Sequence, residues 1–158
     1  MLEAWRIVKA KHAIAAFSGK GAADNGGRWN SRGVAVVYCS QSKSLAALEN
    51  LVHLNPPVRF RYAAMRVTFN ESLVEWFPAK KLPDGWRAEP PPPGTQRIGD
   101  LWARASRSAV LALPSVIIPG EFNFLLNPAH RDFSKIVRGK PEAFVFDPRL
   151  LAPVSSRD

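Results

Sequence analysis

The chain has 158 residues, 46% of them hydrophobic and 22% charged, which is typical of a folded domain and excludes disorder over most of its length. Lysine and arginine exceed aspartate and glutamate by 22 − 13 = +9, which favours an anionic partner, although a solvated basic surface explains the same charge. The single cysteine, Cys39, excludes an intrachain disulfide and an all-cysteine metal site.

The first half of the chain predicts strands separated by a long loop and a helix. Residues 5–8 read as a strand, and residues 17–33 hold five of the ten glycines, which predicts a long loop. The β-branched run 34–39 predicts a buried strand. Residues 43–54 place leucines at helical spacing, and residues 58–69 alternate as a strand does.

The second half predicts more strands than helices. Residues 77–94 are rich in proline, which predicts a surface connection of polyproline type. Asp100 is expected to cap a short helix that runs to about residue 106. Strands are predicted at residues 109–113, 116–118, 122–126 and 144–146, with a turn at Asn127-Pro128.

Strands that do not alternate regularly with long helices favour an α+β fold with a mostly antiparallel sheet. We expect a single domain over residues 1–150, followed by a short C-terminal tail at residues 151–158. No apolar run is long enough for a signal peptide or a membrane span. The expectation is a cytoplasmic protein without a membrane partner.

Segment 26–33 is the first candidate for chemistry. Its glycines allow the backbone to approach a ligand closely, and Arg28 and Arg32 can grip a phosphate through two parallel hydrogen bonds. A turn with two solvated arginines fits the same residues. The spacing is neither that of a phosphate-binding loop nor that of a dinucleotide fingerprint.

Three further side chains have both a chemical and a structural interpretation. Glu49 lies at the edge of the apolar helix stripe, where it either serves a reaction or pairs with His53 one turn on. Tyr38 either stacks on a planar ring or packs in the core. Ser115 lies where two predicted strands break, so its hydroxyl either binds a ligand or satisfies the interrupted strand pairing.

Two kinds of site are not supported by the residue pattern. The chain has no Gly-x-Ser-x-Gly elbow of the serine hydrolases. Its histidines, His12, His53 and His130, lack the spacing of zinc ligands, so no metal is expected. Ribonuclease chemistry with His53 and His130 as acid and base stays open on residue types alone.

Several short motifs resemble the RES-domain family in their order and spacing, from about Trp5 to Phe146. They are Gly-Gly-Arg-Trp-Asn at 26–30, Val-Val-Tyr at 36–38, Leu-Ala-Ala-Leu-Glu at 45–49 with His53, Gly-Asp-Leu-Trp at 99–102, Leu-Pro-Ser at 113–115 and the stretch 123–130 with Asn127-Pro128. The arginine, glutamate and serine that give the family its name match Arg28, Glu49 and Ser115.

The resemblance implies a toxin of a bacterial toxin–antitoxin pair, with a fold similar to ADP-ribosyltransferases and a cleft for NAD. It implies that NAD is the substrate, that its nicotinamide–ribose bond is broken, and that water, phosphate or a protein accepts the ADP-ribose. The implied partner is an Xre-like helix-turn-helix antitoxin, through which alone the toxin would reach DNA. A homo-oligomer is compatible with this picture.

The resemblance also implies roles for individual residues. Glu49 would stabilise the positive charge that develops on the ribose, since this cleavage resembles that of a glycoside. Arg28 would hold phosphate or ribose, and Tyr38 would stack on nicotinamide. The implied NAD-binding set is completed by Asn30 and Ser115.

Two other functions remain as alternatives. The net charge of +9 and five tryptophans are compatible with a basic nucleic-acid-binding protein. The tryptophans are scattered, however, and no basic helix accompanies them. A ribonuclease toxin is the second alternative.

Overall fold

A curled sheet forms the centre of the molecule, which a computed structural model describes over residues 1–53 and 60–151. Within these residues the helices are α1 (Lys20–Asn25), α2 (Lys43–Leu51) and α3 (Pro93–Ala105), and the strands are β1 (Leu2–Lys9), β2 (Val37–Ser40), β3 (Tyr62–Phe69), β4 (Val74–Trp76), β5 (Val110–Pro114), β6 (Phe122–Leu126), β7 (Val137–Arg138) and β8 (Glu142–Phe144).

The strand order is β4-β5-β6-β2-β1-β3-β7, and β8 pairs with β3 beside β7. Neighbouring strands are antiparallel except for the parallel pair β4–β5. The α+β architecture with a mostly antiparallel sheet is therefore confirmed. Leu113, Asn123, Ser40 and Trp5 lie opposite one another across β5, β6, β2 and β1, so their side chains point to the same face.

The central strands are buried on both faces because their side chains alternate between two apolar layers. One face carries Val37, Cys39 and Phe124, which belong to the largest apolar cluster. The other face carries Leu111 and Leu125, which pack with the fully buried Trp102 of α3 and with Trp29. A third cluster lies under α2, where Ala46 meets Ile7 of β1 and Ala64 of β3.

Arg6 closes the junction between β1 and β2, where a single residue pair, Trp5 and Ser40, is in register. Its buried guanidinium donates from Nη1 to the Tyr38 carbonyl and from Nε to the Ala16 carbonyl, both at 2.7 Å. Burial lowers the pKa of Arg6. One bond therefore joins β1 to β2, and the other joins β1 to the turn that contains Ala16.

The predicted helix after β2 is confirmed, and its start lies at Lys43 as expected. Ser42 caps it, because its Oγ accepts a hydrogen bond from the backbone N–H of Leu45 at 3.0 Å. The helix ends at Leu51, before the predicted end at Leu54, which itself lies outside the described residues. Strand β3 begins at Tyr62, and the predicted strand positions 58 and 59 also lie outside the described residues.

The prediction of an uninterrupted loop over residues 17–33 was wrong, because α1 lies inside it. Gly19 and Gly26 flank this helix with φ values of 73° and 71°, a conformation that glycine adopts without strain. An ion pair of 2.6 Å between Lys20 and Asp24 supports the helix from its surface. The two glycines that suggested a loop are in fact the boundaries of a helix.

Two other predicted boundaries were wrong. The predicted strand at 116–118 is absent from the described structure, because the chain bends there around the Ser115 hydroxyl. Asp100 does not begin a helix, since α3 starts at Pro93, where a proline without an N–H fits the first turn. The last predicted strand, 144–146, is displaced to Glu142–Phe144 as β8.

In the part of the chain that the structure describes, no helix has both the length and the apolar character required to cross a membrane.

Candidate active site

Segment 26–33 is held between the sheet and α3. The Tyr38 hydroxyl of β2 accepts a hydrogen bond from the Trp29 N–H at 3.1 Å and donates one to Asn30 Oδ1 at 2.7 Å. From α3, Gln96 Nε2 donates to the Gly27 carbonyl at 3.0 Å. Hydrogen bonds from both β2 and α3 therefore hold the segment in one conformation.

Two glycines permit this close packing. A Cβ at Gly27 would lie 2.7 Å from the Tyr38 hydroxyl oxygen, and a Cβ at Gly99 of α3 would overlap the Trp29 carbonyl. Asp100, next to Gly99, accepts a hydrogen bond from the Ser31 N–H at 2.8 Å. Glycine at 27 and 99 is thus required for the sheet and the helix to meet the segment.

Asn30 is completely buried, and its side chain organises the segment from within. Its Nδ2 donates to the carbonyl oxygens of Ala22 at 2.8 Å and Val34 at 3.1 Å. These bonds join α1 to the residues that precede β2. A direct contact of Asn30 with NAD stays a prediction.

The Tyr38 hydroxyl remains protonated, because burial raises the pKa of this phenol. The hydrogen bond from Trp29 and the positive charge of Arg28 act in the opposite direction, whereas the negative charges of Asp100 and Glu49 add to the increase. These charges act on one hydroxyl from different elements. The hydroxyl itself is bonded only to segment 26–33 among the described contacts, so Tyr38 joins β2 to that segment.

Arg28 is bound to the proline-rich connection. Its Nη1 donates to the carbonyl oxygens of Trp86 and Ala88, both at 2.8 Å, and its Nη2 lies 3.1 Å from Glu89 Oε2. The Arg28 side chain is 16% exposed, whereas that of Glu89 is 76% exposed. A guanidinium has five N–H donors, and the described bonds of Arg28 use three of them.

Glu49 of α2 is half-buried and faces the sheet. Its Oε1 accepts a hydrogen bond of 2.6 Å from Asn123 Nδ2 on β6. Asn123 Oδ1 in turn accepts a hydrogen bond of 2.9 Å from the Ser40 hydroxyl on β2. Among the described residues the second carboxylate oxygen, Oε2, receives no protein hydrogen bond. The predicted pairing of Glu49 with His53 is likewise not among the described contacts.

Ser115 is buried at the end of β5, where it shapes the chain. Its Oγ accepts hydrogen bonds from the backbone N–H groups of Ile117 at 3.1 Å and Ile118 at 3.0 Å. Its own N–H donates to the Glu121 carbonyl at 2.8 Å. The described contacts give Ser115 a structural role, and a contact with NAD stays a prediction.

The histidines take no part in the described hydrogen bonds of Arg28, Tyr38, Glu49 or Ser115. His130 lines a cavity of about 440 Å³ between the C-terminal end of α3 and the turn after β6, and its Nδ1 accepts from the Asp132 N–H at 3.0 Å. His53 is not among the residues of this cavity. The described hydrogen bonds do not join His53 to His130, and ribonuclease chemistry by these two histidines stays a prediction. Nor does the described part of the chain contain three His, Cys, Asp or Glu side chains grouped as a metal site.

Sequence reasoning missed Asn123, Gln96 and the inward position of Asp100. Gln96 and Asp100 follow from the helical wheel once α3 begins at Pro93, because Gly99 and Trp102 then mark its buried face. Asn123 is the one polar residue in the apolar strand β6, and this pattern could have indicated a polar partner for it. A polar residue in a buried strand requires a partner.

The sequence comparisons define the class of this protein. The RES domain family matches residues 3–147. The "Prs ADP-ribosylating toxin" of a Sphingobium species is 42% identical over 154 residues, which cover 93% of this chain and 95% of that relative. "Toxin Res" of Yersinia enterocolitica is 36% identical over 92% of this chain and 97% of its own length. The chain belongs to the RES-domain family, and it is a toxin of that family.

A solved structure supports the fold. The chain superposes on a structure of the M. tuberculosis MbcT-MbcA toxin-antitoxin complex with a TM-score of 0.71, at 16% identity, over 95% of this chain and 86% of that chain. The likeness supports the α+β fold with its mostly antiparallel sheet.

Proposed function

We propose that this toxin cleaves the nicotinamide–ribose bond of NAD, and that the Glu49 carboxylate stabilises the transition state. The observation that carries this proposal is the geometry of Glu49, whose Oε1 is held at 2.6 Å by Asn123. A preorganised anionic oxygen of this kind is suited to a developing positive charge. The full-length relative named an ADP-ribosylating toxin supports NAD as the substrate.

The proposed reaction needs little from the protein beyond binding and electrostatics. The bond between ribose C1′ and the nicotinamide nitrogen breaks, and its electron pair leaves with nicotinamide, which departs as a neutral molecule. The ribose then carries oxocarbenium character, as in glycoside cleavage. An acceptor oxygen of water, phosphate or a protein side chain bonds to C1′. Where that oxygen carries a proton, the proton is released to solvent. No strong general acid is required.

The remaining residues of the candidate site are assigned to binding. We assign the two remaining N–H donors of Arg28 to a phosphate or ribose oxygen, since a guanidinium fork suits such groups. The ring of Tyr38 would stack on nicotinamide while its hydroxyl holds segment 26–33. Residues 1–150 would form the catalytic domain, in keeping with the family match over residues 3–147.

The partner in this proposal is an antitoxin, specifically an Xre-like helix-turn-helix protein that covers the NAD cleft. A distant relative of the same fold was solved as a toxin-antitoxin complex, which supports the general idea of such a partner. The net charge of +9 favours an acidic contact surface on the antitoxin.

The test is to incubate the purified protein with NAD and to measure free nicotinamide. Mass spectrometry of the ADP-ribose product, with and without phosphate and cell lysate, then identifies the acceptor. We expect nicotinamide release in at least one of these conditions. No release in any of them would refute the proposed function.

A further inference from the structure

A polar relay crosses three elements at the candidate site. The Ser40 hydroxyl of β2 donates to Asn123 Oδ1 of β6 at 2.9 Å, and Asn123 Nδ2 donates to Glu49 Oε1 of α2 at 2.6 Å. Because a carboxylate can only accept, the amide nitrogen of Asn123 must face Glu49. The Ser40 bond fixes the other end of the same amide. Both bonds thus specify one orientation of the side chain.

We propose that Asn123 is a positioning residue for the reaction, with Ser40 as its support. Asn123 holds Oε1 of Glu49 so that Oε2 faces the nicotinamide-side ribose. This inference rests on the proposed NAD cleavage and deepens it. The backbone of Asn123 pairs with Ser40 on one side and with Leu113 on the other, whereas the described partners of its side-chain amide are the Ser40 hydroxyl and the Glu49 carboxylate.

The physical reason is the freedom of a glutamate side chain. Three rotatable bonds separate the Glu49 carboxylate from the backbone, and a hydrogen bond to a charged acceptor is among the stronger polar contacts. Without the Asn123 donor, the carboxylate can rotate away from the ribose. A displacement of about 1 Å at a reacting group costs on the order of 100-fold in rate.

The mutant test uses Asn123→Ala with a matched control at the other end of the same strand. Asn127, which follows β6, is a buried asparagine, whereas Asn123 is only partly buried. Asn127 donates to the Ala103 carbonyl at 3.0 Å and has no described hydrogen bond to Glu49. We expect Asn123→Ala to lower kcat by about 10- to 100-fold, with KM for NAD changed by less than about 3-fold. Asn127→Ala should lower the melting temperature and leave kcat nearly unchanged.

Ser40→Ala provides a second, milder variant that keeps the Asn123 amide. We expect it to lower kcat in the same direction by a smaller factor, because the amide loses one of its two restraints. This variant keeps the inference testable if Asn123→Ala fails to fold. A Ser40→Ala protein with normal kcat and normal KM would count against the relay.

The double variant Asn123→Ala with Glu49→Gln separates positioning from an independent effect. If Asn123 acts through Glu49, its removal should cost little further activity once the carboxylate is gone. Additive losses would overturn the inference. The inference would also be overturned if the single variant Glu49→Gln were slow and the single variant Asn123→Ala had normal activity. In that case the proposed function would stand. A wild type that releases no nicotinamide would overturn both.

Discussion

At the scale of single residues, the Glu49 carboxylate is the group on which the proposed reaction depends most. Glu49→Gln keeps the size of the side chain and the oxygen that accepts from Asn123, so the fold should persist. The negative charge is lost, and it matters more in the transition state than in bound NAD. We expect kcat to fall by about 100-fold or more, while NAD affinity and melting temperature change little.

The control for this variant is Glu71→Gln, an exposed glutamate before β4 that should leave turnover unchanged. Nicotinamide release and thermal unfolding are measured on the same preparations. If Glu49 served only as a surface partner for His53, Glu49→Gln would cost less than about 1 kcal/mol of stability and leave activity intact. That result would remove Glu49 from the mechanism.

In the proposed function, Arg28 would both bind NAD and hold the proline-rich connection in place. A solvated turn arginine, as the sequence allowed, could be removed without structural effect. The three bonds to Trp86, Ala88 and Glu89 change that expectation. We expect Arg28→Ala to weaken NAD binding by about 10- to 100-fold, in line with the loss of a charged hydrogen bond. It should also speed tryptic cleavage after Arg87.

Arg28→Lys should restore only part of the affinity, because an ammonium cannot reproduce the planar fork. Arg104→Ala, which removes an exposed arginine from α3, serves as the control for the change in net charge. Calorimetric titration with NAD and limited proteolysis provide the two measurements. Full affinity in the lysine variant would contradict a bidentate role for Arg28.

The sequence predicted functional residues that have a distinctive local pattern. It did not predict residues whose role depends on a contact with a residue far away in the sequence. Glu49 was recognised from its place at the edge of a helical stripe. Its partner Asn123 lies 74 positions away in sequence, so helical spacing could not connect them. The structural use of Ser115 was foreseen as one of two alternatives, because a serine after a proline-ended strand commonly satisfies local backbone groups.

At the scale of secondary-structure elements, the conformation of segment 26–33 depends on its close packing against α3 at Gly99. Gly99→Ala would place a methyl group into the Trp29 carbonyl, and backbone cannot yield as a flexible side chain does. We expect a loss of about 3 kcal/mol or more in the free energy of unfolding, together with weaker NAD binding. Denaturant titration and NAD titration provide the measurements.

Gly21→Ala is the matched control for this element. Gly21 also lies in a helix, but a Cβ there meets nothing within 4 Å. Its replacement should be neutral or slightly stabilising, since alanine favours the helix. Equal stability losses in the two variants would show that Gly99 is not a packing requirement.

Element-scale prediction succeeded where one pattern dominated and failed where two patterns competed. Helix α2 combines a serine cap with leucines at regular spacing, so its start was predicted correctly. Residues 116–118 have strong β propensity, but the Ser115 hydroxyl draws two of their N–H groups into a bend. Strands β4 and β7 have three and two residues, which is too short for any period to be recognised.

At the scale of the whole molecule, a basic chain carries a half-buried acidic group at its candidate site. The net charge of +9 raises the local concentration of an anionic substrate or partner at low salt. The same charge would attract both NAD and the acidic antitoxin surface that we propose. Competition between the two for one cleft would therefore link toxin inhibition to substrate concentration.

The last prediction concerns that competition. If the antitoxin covers the cleft, increasing amounts should raise the apparent KM for NAD and leave kcat unchanged. Hydrogen exchange should slow in segment 26–33 and around residues 86–89, where Arg28 holds the connection. Association should weaken as salt increases, because screening reduces steering by opposite charges. An antitoxin that lowered kcat alone, with protection confined to the far end of the sheet near His130, would contradict direct blockade of the cleft.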